Sequence, residues 1–308
     1  MKILNLGSMN LDNVYPVDEF LLPGETKLSK GLSLFCGGKG LNQSIAAVRA
    51  GSEVWHAGLI GEDGGILLEK LRENGVKTDF IRQVPGRGGH TVIQVNRQGQ
   101  NCILLYGGTN RQLTREYVDG VFDAFGGQGA VLLQNEVNLL PYIMETAHKR
   151  GLPVFLNAAP VDGQVLECDL NLVSWLIVNE IEGRQLAGGC PEPEILDTLS
   201  AKHPGMNILL TLGADGALCR RGGETYAIGV CSVDVVDTTA AGDTFSGYFM
   251  YGVLHGLPLP ACLRMATAAS ALCVGRPGAA DSVPWLDEVK GVMEAGTLDI
   301  PAVRRISR

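Results

Sequence analysis

The sequence has little that would serve metals, membranes or nucleic acid. Its eight cysteines, at 36, 102, 168, 190, 219, 231, 262 and 273, include no C-x-x-C pair, so they read as reduced thiols. The five histidines, at 56, 90, 148, 203 and 255, lack metal-ligand spacing, which disfavours a zinc site. No basic stripe appears and the net charge is −8, which argues against nucleic acid and anionic membranes. No apolar run approaches the ~20 residues of a membrane span. The N-terminus, Met-Lys-Ile-Leu-Asn-Leu-Gly-Ser, turns polar too early for a signal peptide. A soluble, cytoplasmic protein is expected. Three catalytic fingerprints are also missing. There is no G-x-G-x-x-G after the first strand, no Walker A loop (Gly40 follows Lys39 where Ser or Thr is needed), and no G-x-S-x-G. No internal repeat or low-complexity tract is found.

What is present organises itself around Asp237-Thr238-Thr239-Ala240-Ala241-Gly242-Asp243-Thr244-Phe245. Cys231 to Val236 before it favours an extended backbone, and a helix is expected from about Asp243 to Leu254. A helix start preceded by Ala-Ala-Gly presents unpaired N–H groups at the positive end of the helix dipole, which suits an anion. Asp243 sits at the same start. It can be an N-cap, or it can take a proton from a hydroxyl that attacks a phosphoryl group. A capping position also fixes a catalytic side chain, so both readings stand.

At 308 residues, with 45% hydrophobic and 19% charged residues, the chain can bury a large core and is not disordered. Lys2 to Gly7 predicts a buried first strand. Asn10 and Asp12, two apart, share one face if extended and could grip vicinal sugar hydroxyls; an Asx turn is the simpler alternative. Pro23-Gly24-Glu25-Thr26 is a turn, and Lys30 to Phe35 could be a strand. Cys36-Gly37-Gly38-Lys39-Gly40-Leu41-Asn42-Gln43 opens a helix closed by Gly51. Its glycines let a small polar ligand touch backbone, with Asn42 projecting to the same place. Glu53 to Ile60 predicts a strand and Ile66 to Asn74 a helix.

Thr91 to Asn96 and Cys102 to Tyr106 carry a hairpin signal. With the segments near 11–17 and 30–35, they suggest a small separate sheet that could act as a lid hinged at Gly107-Gly108. From Ala130 onward strand and helix alternate. That predicts an α/β fold, a doubly wound, mostly parallel sheet flanked by helices, with ligands at the carboxyl ends of strands. Glu136, Asn157, Asn179, Glu182 and Asp237 all follow predicted strands. Ala261 to Val274 is an Ala-rich helix leading to a loop from Gly275 to Pro284. The last ten or so residues are expected to fray.

Gly7-Ser8-Met9-Asn10-x-Asp12, Pro23-Gly24-Glu25-Thr26, Gly37-Gly38-Lys39-Gly40-x-Asn42-Gln43 and Asn179-x-x-Glu182 follow one another in order. Thr211-Leu212-Gly213-x-x-Gly216, Asp237-Thr-x-Ala-Ala-Gly-Asp243-Thr-Phe and Gly278-Ala-x-x-Ser282-Val-Pro284 complete the series. Together they resemble the PfkB family of sugar kinases, on its ribokinase branch, over residues 3 to about 286. The resemblance implies a single ribokinase-like domain, with a small β-sheet lid formed near 11–35 and 88–106. It implies ATP-dependent phosphorylation of the 5-hydroxyl of D-ribose. Asp243 would be the general base, with the amides of Ala241 and Gly242 forming the anion hole. Asn10, Asp12, Gly38, Lys39, Gly40, Asn42 and Glu136 would hold the sugar. Asn179, Thr211, Gly213, Gly216 and Gly242 would hold ATP, with Thr267 near the adenine. Glu182 would orient water on Mg²⁺. Asp237, Thr239, Cys273, Arg276, Gly278 and Ser282 would form a K⁺ loop, several through carbonyls. A homodimer with packed lids is also implied.

Three segments depart from that pattern. Leu156-Asn157-Ala158-Ala159-Pro160 replaces Asn-Pro-Ala-Pro, Gly108-Thr109-Asn110 replaces Gly-Ala-Asn, and Gly88-Gly89-His90 stands where Thr-Gly and a small or apolar residue are common. The last lies in the expected lid, so His90 becomes a candidate for altered sugar choice. Other substrates for such a kinase are a deoxyribose, a ketohexose, a keto-deoxy sugar acid or a nucleoside. A catalytically silent sugar sensor on the same fold is a further alternative.

Overall fold

The computed structural model describes residues 1–306. Strand β1 (Lys2–Leu6) carries Ile3, Leu4 and Leu6, none exposed, and runs into the core. β2 (Asn10–Pro16) and β3 (Ser33–Gly37) lead to helix α1 (Lys39–Arg49). Next come β4 (Glu53–Ile60), α2 (Gly65–Glu73), β5 (Lys77–Gln83), β6 (Gly89–Val95) and β7 (Asn101–Tyr106). The alternating half then begins with α3 (Arg115–Phe125), β8 (Ala130–Gln134), α4 (Leu140–Lys149), β9 (Val154–Asn157), α5 (Gly163–Leu166) and β10 (Trp175–Asn179). It continues with α6 (Glu180–Ala187), α7 (Ile195–Lys202), β11 (Asn207–Thr211), β12 (Ala217–Arg221) and β13 (Glu224–Ile228). α8 (Ala241–Leu254), α9 (Leu259–Val274), α10 (Leu286–Ala295) and β14 (Arg304–Ile306) close the chain.

The main sheet has ten strands in the order β14-β13-β12-β11-β10-β9-β8-β1-β4-β5. The seven from β11 to β5 pair in parallel, and β12 to β14 extend the sheet antiparallel. Helices cover both faces, as parallel strands buried on two sides require. One core lies under α1, α8 and α9 and includes Leu41, Ile45, Tyr248, Phe249 and Leu263. The other lies under α3 and α4 and includes Val118, Phe122, Ile143 and Met144. A separate four-stranded sheet, β3-β2-β6-β7, stands apart from it, with β6 and β7 antiparallel as the hairpin signal predicts.

Three local expectations are corrected. Cys231 to Val236, where an extended backbone was expected, joins neither sheet among the described residues. Asp243 is not the N-cap of α8. It is the third helical residue, and Ala240 caps the helix in a left-handed conformation (φ 61°). The final residues do not all fray: Arg304–Ile306 pair with β13, and only 307 and 308 fall outside the described residues.

The approach of α1 to α8 positions the site. An added Cβ on Gly247 would lie 2.6 Å from the Cβ of Ala46 and 2.9 Å from backbone atoms of Ala46 and Ala47. An added Cβ on Gly40 would lie 2.4 Å from the backbone nitrogen of Ser8. Backbone cannot yield as a side-chain tip can. Gly247→Val is therefore expected to lower unfolding stability by about 1–3 kcal/mol, the usual range for overpacking, with a measurable fall in Tm. An unchanged Tm would show that the two helices can separate.

Candidate active site

Asp243 is buried, and both its carboxylate oxygens are engaged from α1. Asn42 Nδ2 donates to Oδ2 at 3.0 Å, and Gln43 Nε2 donates to Oδ1 at 2.8 Å. The N–H of Ala241 donates to the Thr238 carbonyl at 3.2 Å. That corrects the expected anion hole: the amides of Gly242 and Asp243, not Ala241 and Gly242, are those without a partner among the described residues. Two unpaired donors at a helix N-terminus suit a phosphate.

Towards the small sheet, Asn10 and Asp12 do share one face of β2. Asn110 Nδ2 donates to Asn10 Oδ1 at 2.7 Å, and Thr91 Oγ1 donates to Asp12 Oδ1 at 2.7 Å. These side chains occupy the space beside the glycines. A Cβ on Gly37 would lie 1.9 Å from Asp12 Oδ2, and one on Gly89 would lie 2.2 Å from Asn10 Oδ1. Gly38 has φ +92° and backs onto Asn10 and Ser8. Burial pushes the Asp12 carboxyl up to about 6, against the lowering effect of the Thr91 hydroxyl. His90 pairs with Leu11, on the face opposite Asn10 and Asp12, and its ring lies 5.1 Å from that of Tyr106. The expectation that His90 bears on sugar choice is corrected accordingly; strand alternation turns it away.

Glu136 braces the glycine turn. Its Oε2 accepts from the Ser8 hydroxyl and, at 3.0 Å, from the Lys39 N–H, while Gly40 N–H donates to Ser8 Oγ at 3.2 Å. Burial pushes the Glu136 carboxyl up, against the pull of Lys39. For Lys39, burial alone would lower the ammonium, but the fields of Asp243, Glu136 and Glu182 outweigh it and hold it above the ordinary lysine value. One lysine thus faces three carboxylates.

On the other side of α8 lies a cavity of about 530 Å³. Asn179, Thr211, Gly213, Gly216, Ala241, Gly242 and Thr267 all line it, with an apolar wall from Val233, Val235, Phe245 and Val274. Gly216 (φ +97°) allows the turn after β11 to close, since a Cβ there would lie 2.0 Å from the Ile228 carbonyl. Thr267 Oγ1 is buried without a partner. Asn179 caps α6: its Oδ1 accepts from the N–H of Ile181 and Glu182, and Glu182 Oε2 accepts from the Asn179 N–H. Glu182 Oε1 keeps no hydrogen bond among the described residues, so a water-mediated hard cation fits it.

The residues expected around K⁺ also come together. Asp237 accepts from Thr239 N–H (2.9 Å), Thr239 Oγ1 (2.6 Å) and Gly278 N–H (3.1 Å). Burial would raise its carboxyl, but these donors hold it below its usual range. Cys273 Sγ lies 3.0 Å from Ser282 Oγ and 3.8 Å from the Thr239 carbonyl. The Arg276 guanidinium is paired with Glu288, so only its backbone faces the loop. Carboxylate, hydroxyls and carbonyls form an oxygen-rich set that fits a hard monovalent cation; the thiol packs beneath them. No cluster of three His, Cys, Asp or Glu suited to a metal occurs among the described residues.

Sequence reasoning gave no role to Ser8, Gln43, Thr91, Asn110, Asn5 or Gln134. The signal for Asn5 and Gln134 was legible: each is a polar residue at a buried position of an otherwise apolar strand.

A helix N-terminus between a nucleotide-sized cavity and a cluster of buried hydroxyl-binding groups defines a phosphotransferase for a small polyhydroxylated substrate. Residues 1–286 match the pfkB family carbohydrate kinase, and the chain belongs to that family. It is 33% identical over 311 residues to the ribokinase of Schizosaccharomyces pombe, covering 94% of this chain and 97% of that one. A crystal structure of ribokinase from Cryptococcus neoformans in complex with ADP superposes with a TM-score of 0.81 at 34% identity, covering 94% of this chain and 99% of the other. Arabidopsis thaliana ribokinase complexed with ribose and ATP gives a TM-score of 0.82 at 28% identity, covering 95% and 98%.

The double use of Asn179, as helix cap and cavity wall, can be separated. Asn179→Ala is expected to cost about 1 kcal/mol of unfolding stability, while Asn179→Asp, which also caps, keeps most of it. Equal stability of the alanine variant and the parent, by chemical denaturation, would remove the capping role.

Proposed function

We propose that this chain transfers the γ-phosphoryl group of ATP to the 5-hydroxyl of D-ribose, giving D-ribose 5-phosphate and ADP. The observation that carries the reading is Asp243, held by the Asn42 and Gln43 amides at the N-terminus of the helix that floors the nucleotide cavity. Asn10, Asp12, Asn42, the Gly38–Gly40 turn and Glu136 bind and orient the sugar. Asp243 takes the proton as the hydroxyl oxygen bonds to the γ-phosphorus and the bond to ADP breaks with its electrons. The amides of Gly242 and Asp243, with the Lys39 ammonium, face the charge that develops on the phosphoryl oxygens. Asn179, Thr211, Gly213, Gly216 and Thr267 hold the nucleotide. Mg²⁺ at Glu182 would neutralise phosphate charge. K⁺ at Asp237, Thr239, Gly278, Ser282 and the carbonyls of Cys273 and Arg276 would fix the loop before α8.

The small sheet acts as the lid in this reading, covering the sugar. Leu104 and Tyr106 on β7, Leu34 on β3 and Leu28 in the loop before it are exposed, Leu28 almost completely. Such an apolar surface favours pairing of two lids in a homodimer. No helix of the described chain is long and apolar enough to cross a membrane. A cytoplasmic site of action fits the ATP requirement.

ADP release should be measured with MgATP and K⁺, against Na⁺ and choline chloride controls, across ribose, 2-deoxyribose, fructose, 2-keto-3-deoxygluconate and adenosine. Ribose is expected to give the highest kcat/KM. A different best substrate would overturn the sugar assignment but not the chemistry. Binding of ATP and ribose without turnover would favour a sensor. Asp243→Asn should lower kcat by roughly 10²–10⁴-fold with nucleotide binding kept. Asp12 supplies a pH test. Its folded carboxyl titrates at about 6, and sugar hydroxyls donate to the ionised form. Ribose affinity is therefore full above pH 6 and weakens as pH falls through it, as read by calorimetric titration. A flat affinity from pH 7.5 to 5 would remove Asp12 from the sugar contacts.

A further inference from the structure

Behind Asp243 lies a chain of buried polar side chains that sugar and nucleotide binding leave unused. Asn5, Gln43, Ser44, His56 and Gln134 are all fully buried. Their hydrogen-bond directions are fixed from one end: donation runs from Gln134 through Asn5, Ser44 and His56 to Gly7 on one side, and through Gln43 to Asp243 on the other. The Gly7 carbonyl can only accept, so His56 Nε2, 3.2 Å away, carries the proton. Burial pulls His56 down to about 4, so the ring is neutral and Nδ1 is an acceptor. Ser44 Oγ, 2.8 Å from Nδ1, must therefore donate to it. Ser44 then accepts from Asn5 Nδ2 at 2.8 Å, and the same amide group donates to the Gly40 carbonyl at 2.8 Å. Two acceptors fix which end of Asn5 is nitrogen, so its Oδ1 faces Gln134 Nε2 at 3.3 Å. Gln134 Nε2 also donates to Gln43 Oε1 at 2.7 Å. That leaves the Gln43 NH₂ with one direction, towards Asp243 Oδ1.

We infer that Gln43 is a positioning residue for Asp243. The chain anchored at the Gly7 carbonyl fixes Gln134 Nε2 as donor to both Asn5 and Gln43, which turns the Gln43 NH₂ to Oδ1. Oδ2 also accepts one amide, from Asn42 at 3.0 Å, but it lies on the side assigned to the sugar, so its remaining lone pair is the one that takes the hydroxyl proton. The orientation leaves Gln134 Oε1 buried without a partner. An orphaned acceptor is unfavourable, and reversing the Gln134 amide would set two oxygens against Asn5 and Gln43 instead. The inference rests on Asp243 as the base. It goes further by naming which oxygen acts and what holds the other.

Two variants separate the hydrogen bond from packing. Gln43→Met keeps the volume and removes the donor. Gln43→Glu keeps the acceptor for Gln134 but faces Asp243 with an oxygen. Charged or titratable groups near Asp243 from the packed elements are Lys39 on α1, Glu136 after β8, Glu182 on α6 and Cys273 on α9. All are unchanged in Gln43→Met, so a difference in its pH profile reports the lost bond; Gln43→Glu adds a carboxyl of its own and is read by turnover only. Both variants are expected to lower kcat roughly 10- to 100-fold with KM for ATP little changed, the scale of a misplaced catalytic group. In Gln43→Met the acid limb of kcat/KM should move to higher pH, because a donor to the ionised carboxylate is lost. Independently of turnover, the Tm difference between parent and Gln43→Met should be largest near pH 7 and narrow on acidification, when the carboxylate no longer needs the donor. An unmoved acid limb, or a Tm difference constant with pH, would overturn the inference and leave Gln43 a packing residue. If Asp243→Asn remained active while the Tm difference narrowed, the hydrogen bond would stand and the general-base reading would fall.

Discussion

The contact on which the rest of the site depends is that of α1 with α8. Gly247 lets the second helix lie against the backbone of Ala46 and Ala47. Only at that distance do Asn42 and Gln43, on one helix, both reach the carboxylate of Asp243 on the other. The same α1 begins at the Gly38–Gly40 turn, which is fixed by Ser8 and Glu136. A single helix therefore connects the groups assigned to the sugar with the group assigned to its hydroxyl proton. Small residues at this interface limit where a hydroxyl could sit relative to the base, and proximity of that kind is a large part of what such a site contributes.

The two sheets divide the labour. Parallel strands bring their carboxyl ends to one edge, and Asn179, Thr211 and the turn at Gly216 line a cavity there. The small sheet contributes Asn10, Asp12 and Thr91 from the other side. Its register decides what faces inward. Gly89 and Thr91 stand beside Asn10 and Asp12, whereas His90 between them turns to the opposite face. A period of two thus shows that an unusual residue in a lid need not be a residue that touches substrate.

Much of the fold was legible because its signals are local. Alternating apolar runs and Gly-punctuated helices marked β1, α1, β4, the β6–β7 hairpin and the strands from β8 to β11. The elements not anticipated are β5, α3, α5, α7, β12 to β14 and α10; of these, β12 and β13 form a hairpin across Gly222-Gly223, a local signal that was passed over, whereas β14 depends on a distant partner. β14, for example, exists by pairing with β13 some eighty residues earlier. The Cys231–Val236 segment shows the converse, strong β-propensity without strand pairing. In the site, ordered motifs gave the residue set. They did not give the bonds: that Asn179 and Glu182 are spent on capping α6, or that the Ala241 amide turns back to Thr238, depends on backbone geometry that composition does not encode.

The electrostatics then explain why cations belong in the reading. Asp243, Glu136 and Glu182 surround a single lysine, and burial raises the carboxyls of Glu136 and Glu182, a sign that negative charge is already costly there. A nucleotide triphosphate entering the adjacent cavity adds several more negative charges. Two unpaired amides at the start of α8 supply only about half an elementary charge of compensation. Lys39 supplies one more. In the proposed function the remainder would come from cations. The positions able to receive them are a carboxylate oxygen without a hydrogen bond at Glu182 and the oxygen-lined loop around Asp237. One follows β10 at the start of α6; the other leads directly into α8 and Asp243. Charge balance therefore links the proposed cation positions to the helix start that carries Asp243.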